Sequence, residues 1–171
     1  MKPATLVSVD EYLSTSYRPD CDFLEGVVLE RNTGEYDHAR VQAKFVAIFD
    51  RNEQQWKVRT VVEQRVQVTR ERFRIPDVCL LRGDAPVEQI IRHALLLCVE
   101  VLSKDDRMSA MQDRIDDYFA MGVACVWTVD PQSRKGRIHT SDRSWEPKDG
   151  ILRVEATDIA VPLADLFAGL T

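Results

Sequence analysis

The sequence predicts an α/β fold, a mixed β-sheet flanked by helices. Three observations carry this expectation. Strand-like and helix-like runs are interleaved along the chain rather than segregated. The run 94–102, A-L-L-L-C-V-E-V-L, is almost continuously apolar, the pattern of a strand covered on both faces. Segments 35–54 and 105–121 repeat apolar residues at helical spacing. A length of 171 residues fits one domain, 1–171, with enough chain to bury a core.

The elements follow in order. Residues 8–14 form a short helix capped by Ser8. Residues 23–31 (F-L-E-G-V-V-L-E-R) read as a strand with a glycine kink, and Asn32-Thr33-Gly34 as a turn. In the helix at 35–54, His38, Val41, Phe45 and Ile48 define one face. Segments 58–62 and 65–69 read as strands, the second alternating as a half-solvated strand does. Residues 73–81 (F-R-I-P-D-V-C-L-L) read as a strand interrupted by Pro76, which predicts an edge, a bulge or a bend. The helix at 105–121 places Met108, Met111, Ile115 and Tyr118 on its apolar face and stops at Gly122. Segment 123–129 is a further buried strand, 136–140 and 151–155 are outer strands, and 161–170 closes as a short amphipathic helix.

Hydrophobic residues at 44% and charged residues at 30% describe an ordinary water-soluble protein and exclude a disordered one. No apolar stretch is long enough to cross a bilayer, and the first five residues show no secretion signal, so a cytoplasmic protein without a membrane partner is expected. Cys21, Cys79, Cys98 and Cys125 never occur as C-x-x-C, and read as core residues in a reducing compartment. A net charge of −5 argues against coating nucleic acid by charge alone, but not against a carboxylate site that recruits cations.

Glu100 is the one charge in its apolar strand. A buried lone carboxylate costs several kcal/mol unless it is paired, protonated or metal-bound. It reads either as the partner of an arginine across the sheet or as a site residue. Asp77 follows Pro76 at the bend and reads as a polar residue at a kink or as a second site acid. Two acids on adjacent strands suit Mg2+, which prefers oxygen ligands and keeps several waters. Such a metal polarises a phosphodiester and lowers the pKa of an attacking water.

These residues resemble a known pattern. Pro76-Asp77 followed by Glu100 in a hydrophobic strand is similar to the PD-(D/E)XK motif of restriction-type nucleases, and the ordered set resembles the Uma-type restriction endonuclease family of bacteria. The matching stretches are Asp22-Phe23-Leu24-Glu25-Gly26, His38 at the start of the long helix, Arg74-Ile75-Pro76-Asp77-Val78, and Val99-Glu100-Val101-Leu102-Ser103. Tyr118, Gly122-Val123, Trp127-Thr128-Val129-Asp130-Pro131, Val161-Pro162-Leu163 and Leu166-Phe167 complete it, so the resemblance spans nearly the whole chain. It implies a restriction-endonuclease-like core, DNA as partner, Mg2+ or Mn2+ as cofactor and phosphodiester hydrolysis. A homodimer is left open.

The sequence departs from the pattern at two places. Leu102 stands where the motif lysine would lie; the family's lysine on the next helix, four residues before the tyrosine, corresponds to Arg114. Arginine keeps the charge but does not give up a proton. Asp22 stands where the family usually has glutamate. The resemblance therefore implies Asp77 and Glu100 as metal ligands and catalytic residues, Asp22 as an assisting ligand and Arg114 as the stabiliser of developing charge. His38, Lys104 and Tyr118 are accessory candidates. Lys104 shares a strand face with Glu100 if the strand continues, or is a solvated lysine; His38 is an accessory or a satisfied helix-terminal histidine. The basic run Arg134-Lys135-Gly136-Arg137 with His139 and Arg143 reads as a phosphate contact or a solvated hairpin.

Asp77 and Glu100 are expected to converge, and Arg114 rather than Lys104 to enter the acidic cleft. At least one acid is expected to have a raised pKa, and Asp77→Asn to be more stable than wild type without metal. The alternative is a catalytically inactive nuclease-fold module for nucleic-acid binding or protein interaction. It would be favoured by an Arg114–Glu100 salt bridge leaving no room for metal.

Overall fold

The structure is a computed structural model that describes residues 6–31 and 34–170. Asn32 and Thr33, at the centre of the expected turn, lie outside the described residues, as does the N-terminal stretch 1–5.

Helix α1 (Val9–Ser14) starts where Ser8 Oγ accepts the Glu11 N–H at 3.1 Å. Strands β1 (Cys21–Leu24) and β2 (Val27–Glu30) follow, then α2 (Tyr36–Trp56), β3 (Val58–Val62), β4 (Val66–Thr69), β5 (Arg72–Arg74) and β6 (Val78–Arg82). The chain continues through β7 (Leu97–Val101), α3 (Met108–Met121), β8 (Cys125–Asp130), β9 (Lys135–His139) and β10 (Ser144–Trp145). It ends in β11 (Ile151–Arg153), β12 (Ala160–Pro162) and α4 (Leu163–Phe167).

The central sheet has the order β10-β9-β8-β7-β6-β3. It is mixed: β7 runs parallel to β8, while the other neighbouring strands pair antiparallel. Helices cover both faces. Val41, Phe45 and Phe49 of α2 pack with Val99, Trp127 and Leu152 on one side. Met111, Ile115 and Tyr118 of α3 pack with Cys79, Cys98 and Val126 on the other. This accounts for the almost continuously apolar character of β7, whose five residues, Glu100 included, are all buried. A second sheet, β2-β1-β5-β4, is closed by α1 through Tyr12, Phe23 and Phe73. All four cysteines are free and buried. Among the described residues no helix is long and apolar enough to cross a membrane.

Several details differ from the sequence expectation. The strand at 23–31 is a hairpin: Glu25 (φ 49°) and Gly26 (φ 91°) take the positive φ values that a tight turn between twisted strands needs. Pro76 does not bend one strand; it separates β5 in the small sheet from β6 inside the large one. Strand β9 is internal, with β10 as the edge, and β11 with β12 forms a separate ribbon. A side chain at Gly136 would meet Leu163 at 2.6 Å, so glycine is what lets this C-terminal unit press against β9. Met108 is 77% exposed, because α3 begins there and its first turn lies beyond the core. The helix stops at Gly122 as expected, in the left-handed conformation with φ 92°. The basic run is a hairpin whose charges are largely partnered: Arg137 with Glu146, Arg143 with Glu155 and over the Trp145 ring.

Candidate active site

The register of the central sheet brings Asp77 and Glu100 together. Strands β6 and β7 pair Val78 with Val99, so one further step sets Asp77 opposite Glu100. Opposed residues of an antiparallel pair share a face, with Cβ atoms roughly 4.5–5.5 Å apart. That face carries Cys79 and Cys98 and looks toward α3. Asp77 Oδ2 accepts the Val101 N–H at 2.7 Å, which fixes the aspartate beside the Glu100 strand. Asp22 enters from β1, where Oδ1 accepts the Ile75 N–H at 3.2 Å. The three acids are buried, each no more than 2% exposed.

Cations surround them. Arg114, on the second turn of α3, reaches Glu100 Oε2 at 3.1 Å through Nη1 and Asp22 Oδ2 at 3.5 Å through Nε. One helical turn later, Tyr118 donates its hydroxyl to Glu100 Oε1. Arg31, just beyond β2, pairs with Asp77 Oδ1. His38 Nε2, in the first turn of α2, lies 3.5 Å from Asp77 Oδ2. Arg74 bridges Asp22 at 2.9 Å and Asp117 of α3 at 2.7 Å, tying β1, β5 and α3 into one buried network. Lys104 is elsewhere: it pairs with Glu35 and its side chain is 60% exposed.

The two central acids titrate in opposite directions. Burial raises the pKa of Glu100; Arg114 opposes this, the charge of Asp77 adds to it, and the outcome is about 7. Burial also raises Asp77, but the hydrogen bond from His38, the charge of Arg31 and the Val101 N–H outweigh it, and its pKa lies below the ordinary value. Asp77 is therefore held as a carboxylate by its partners, and this balance argues against the expectation that Asp77→Asn stabilises the metal-free protein. The acids do not simply repel one another, because Arg31 supplies a charge that the sequence reading did not include. For His38, burial lowers the pKa, yet the hydrogen bond to Asp77 raises it above the usual histidine value.

Ligand chemistry at Asp77 and Glu100 suits a hard divalent cation, since it offers carboxylate oxygen only. The arrangement is closed, however. Each carboxylate oxygen of Asp22, Asp77 and Glu100 already meets a protein donor. The space between Arg31, His38, Asp77 and Arg114 is about 10 Å³, room for one water at most. Among the described residues no group of three or more His, Cys, Asp or Glu forms a ready cation cage. Cation entry at Asp77 Oδ1 requires Arg31 to leave that oxygen.

Sequence reasoning missed Arg31, and gave Arg74 no role beyond its place in a motif. Arg74 carried a signal, as a charge between Phe73 and Ile75 in an apolar segment. Arg31 carried none, since it follows a short half-exposed strand.

Comparison with known proteins agrees with the fold. The profile of the Uma2 family, described as "Putative restriction endonuclease", matches residues 9–168. No curated protein matches the chain. Among solved structures, the chain is similar to the crystal structure of "a putative nuclease belonging to DUF820" from Anabaena variabilis. The TM-score is 0.81 at 18% identity, covering 94% of this chain and 97% of that one, a likeness of fold. With residues 9–168 of its 171 matched by the family, this chain belongs to the Uma2 family.

Proposed function

We propose that this chain is a nuclease that hydrolyses DNA phosphodiester bonds at the Asp77–Glu100 site with Mg2+ or Mn2+ as cofactor. The observation that carries the reading is the facing pair of buried acids on β6 and β7, under a cationic helix residue, in a member of the Uma2 family. Asp77 and Glu100 would hold the cation, with Asp22 assisting through its position on β1. When bound, a divalent cation there supplies charge neutralisation at the phosphate and a lowered pKa for the attacking water.

The remaining steps belong to the chain's own residues. Arg114 holds a permanent positive charge over Glu100 and Asp22, where negative charge grows on a phosphoryl group. It is an electrostatic group and not a base. Tyr118 orients Glu100, and Arg74 orients Asp22. His38 lines the acid site and the clefts on either side, about 490 and 360 Å³ in volume, along which a strand would lie. The buried free cysteines accord with a reducing, cytoplasmic setting.

The test is cleavage of supercoiled plasmid with Mg2+ or Mn2+, wild type against Glu100→Ala. Metal-dependent nicking by wild type and none by the variant is expected. A second reading, a non-catalytic DNA-binding module, is favoured by one observation: the Arg114–Glu100 and Arg31–Asp77 pairs close the site. DNA retention without cleavage in either metal would establish it.

A further inference from the structure

We propose that Arg31 is a tethered counter-ion that closes the Asp77 metal position at rest and turns outward to a nucleic-acid phosphate in the groove beside it. This rests on the proposed metal-dependent reading and adds a control device to the same site. Three observations meet at this residue. Its guanidinium pairs with Asp77 Oδ1, one of the oxygens a cation would need. Its Nε–H is buried with no hydrogen-bond partner, so the fork is only partly used where it sits. An unmet buried donor is costly, and a second anion would satisfy it. Finally, Arg31 lines both the small void at Asp77 and the groove of about 360 Å³ formed with Asp20, Gly34, His38, Gln42 and Glu63.

The chemistry follows from the guanidinium itself. It is planar and always charged, and it binds phosphate as it binds carboxylate, through paired N–H groups. Exchange of Asp77 for a phosphate keeps Arg31 paired and at the same time frees an anionic oxygen for the cation. Neither partner is left buried and unpaired, which would be strongly destabilising. Binding of the strand and opening of the metal position are thereby one event, and metal without DNA binds weakly.

The experiment is calorimetric titration of Mn2+ into wild type, Arg31→Gln, Arg31→Lys and Asp77→Asn, each checked for folding by circular dichroism. Arg31→Ala is the second charge-removing variant should Arg31→Gln not fold. A unit charge a few ångströms from the site, at an effective dielectric of about 20, repels a divalent ion enough to change affinity at least about tenfold. Arg31→Gln is expected to bind Mn2+ at least about tenfold more tightly than wild type, and Arg31→Lys to stay near wild type. Binding of a short DNA duplex is measured in parallel in Ca2+, which takes oxygen ligands in place of Mn2+. Loss of one phosphate contact in Arg31→Gln lowers the slope of log K against log salt by about 0.9. Equal Mn2+ affinity in wild type and Arg31→Gln, with binding abolished in Asp77→Asn, overturns the counter-ion role and leaves the metal reading standing. No Mn2+ binding in wild type or either charge-removing variant overturns the metal reading and this proposal together. An unchanged salt slope overturns the transfer to phosphate.

Discussion

Replacing Glu100 by glutamine removes one titration and keeps the shape. In the folded chain the Glu100 carboxyl has a pKa of about 7, against an ordinary value of 4.5. Below pH 4.5 both states hold the proton. Between 4.5 and 7 the unfolded chain ionises while the folded chain does not, so rising pH drains stability from the wild type; above 7 the loss is complete. A rise from 4.5 to about 7, at about 1.36 kcal/mol per pH unit, amounts to about 3 kcal/mol. A glutamine side chain has no such loss. Its carbonyl still accepts from one of Arg114 or Tyr118, and any contact it forfeits is a constant offset in pH. The assay is urea unfolding of both proteins at intervals from pH 4.5 to 8.5. The difference between the two curves is expected to change by about 3 kcal/mol in favour of Glu100→Gln as pH rises. Parallel profiles would refute the reasoning, because they would mean that Glu100 ionises as easily in the fold as in the unfolded chain.

Other predictions rest on neighbouring groups. His139, buried on β9 with Nε2 2.9 Å from Thr128 Oγ1, has its pKa lowered by burial and by Arg137 to about 4. The unfolded chain therefore takes up a proton first as pH falls below 6.5, and stability declines from there to about 4; in His139→Gln this part of the acid profile is expected to be absent, as urea titrations would show. Asp77→Asn is expected to destabilise the metal-free protein at pH 7 by about 3 kcal/mol, because Arg31 is left buried without its carboxylate; a melting temperature above wild type would mean that repulsion among the acids wins after all. Arg74→Met strips the cation from between Asp22 and Asp117 and is expected to cost about 3–5 kcal/mol, or folding altogether, as measured by denaturant midpoint.

Much of the fold was legible because its signals are local. The apolar run at β7, the Ser8 cap and the Gly122 stop each depend on a few adjacent residues. The hairpin at Glu25-Gly26 was not legible, since the usual signal is Asn-Gly or Asp-Gly and glutamate rarely takes positive φ. Pro76 announced a break, but nothing local distinguishes a bend in one strand from a change of sheet. At the site, Asp77 and Glu100 were visible as acids out of place, and Arg114 only through the resemblance, at the position of the family's lysine. Arg31 was not, for its partner lies 46 residues away and the pairing exists only once the small sheet that carries β2 is in place beside Asp77.

The most direct measurement is a crystal of the wild type with a short DNA duplex bound, soaked in Mn2+ and measured at the manganese edge. The account predicts an anomalous peak touching both the Asp77 and Glu100 carboxylates, with the Arg31 guanidinium displaced from Asp77. A map with no peak between them at saturating Mn2+, and Arg31 still on Asp77, would contradict it and leave the DNA-binding module as the reading of this site.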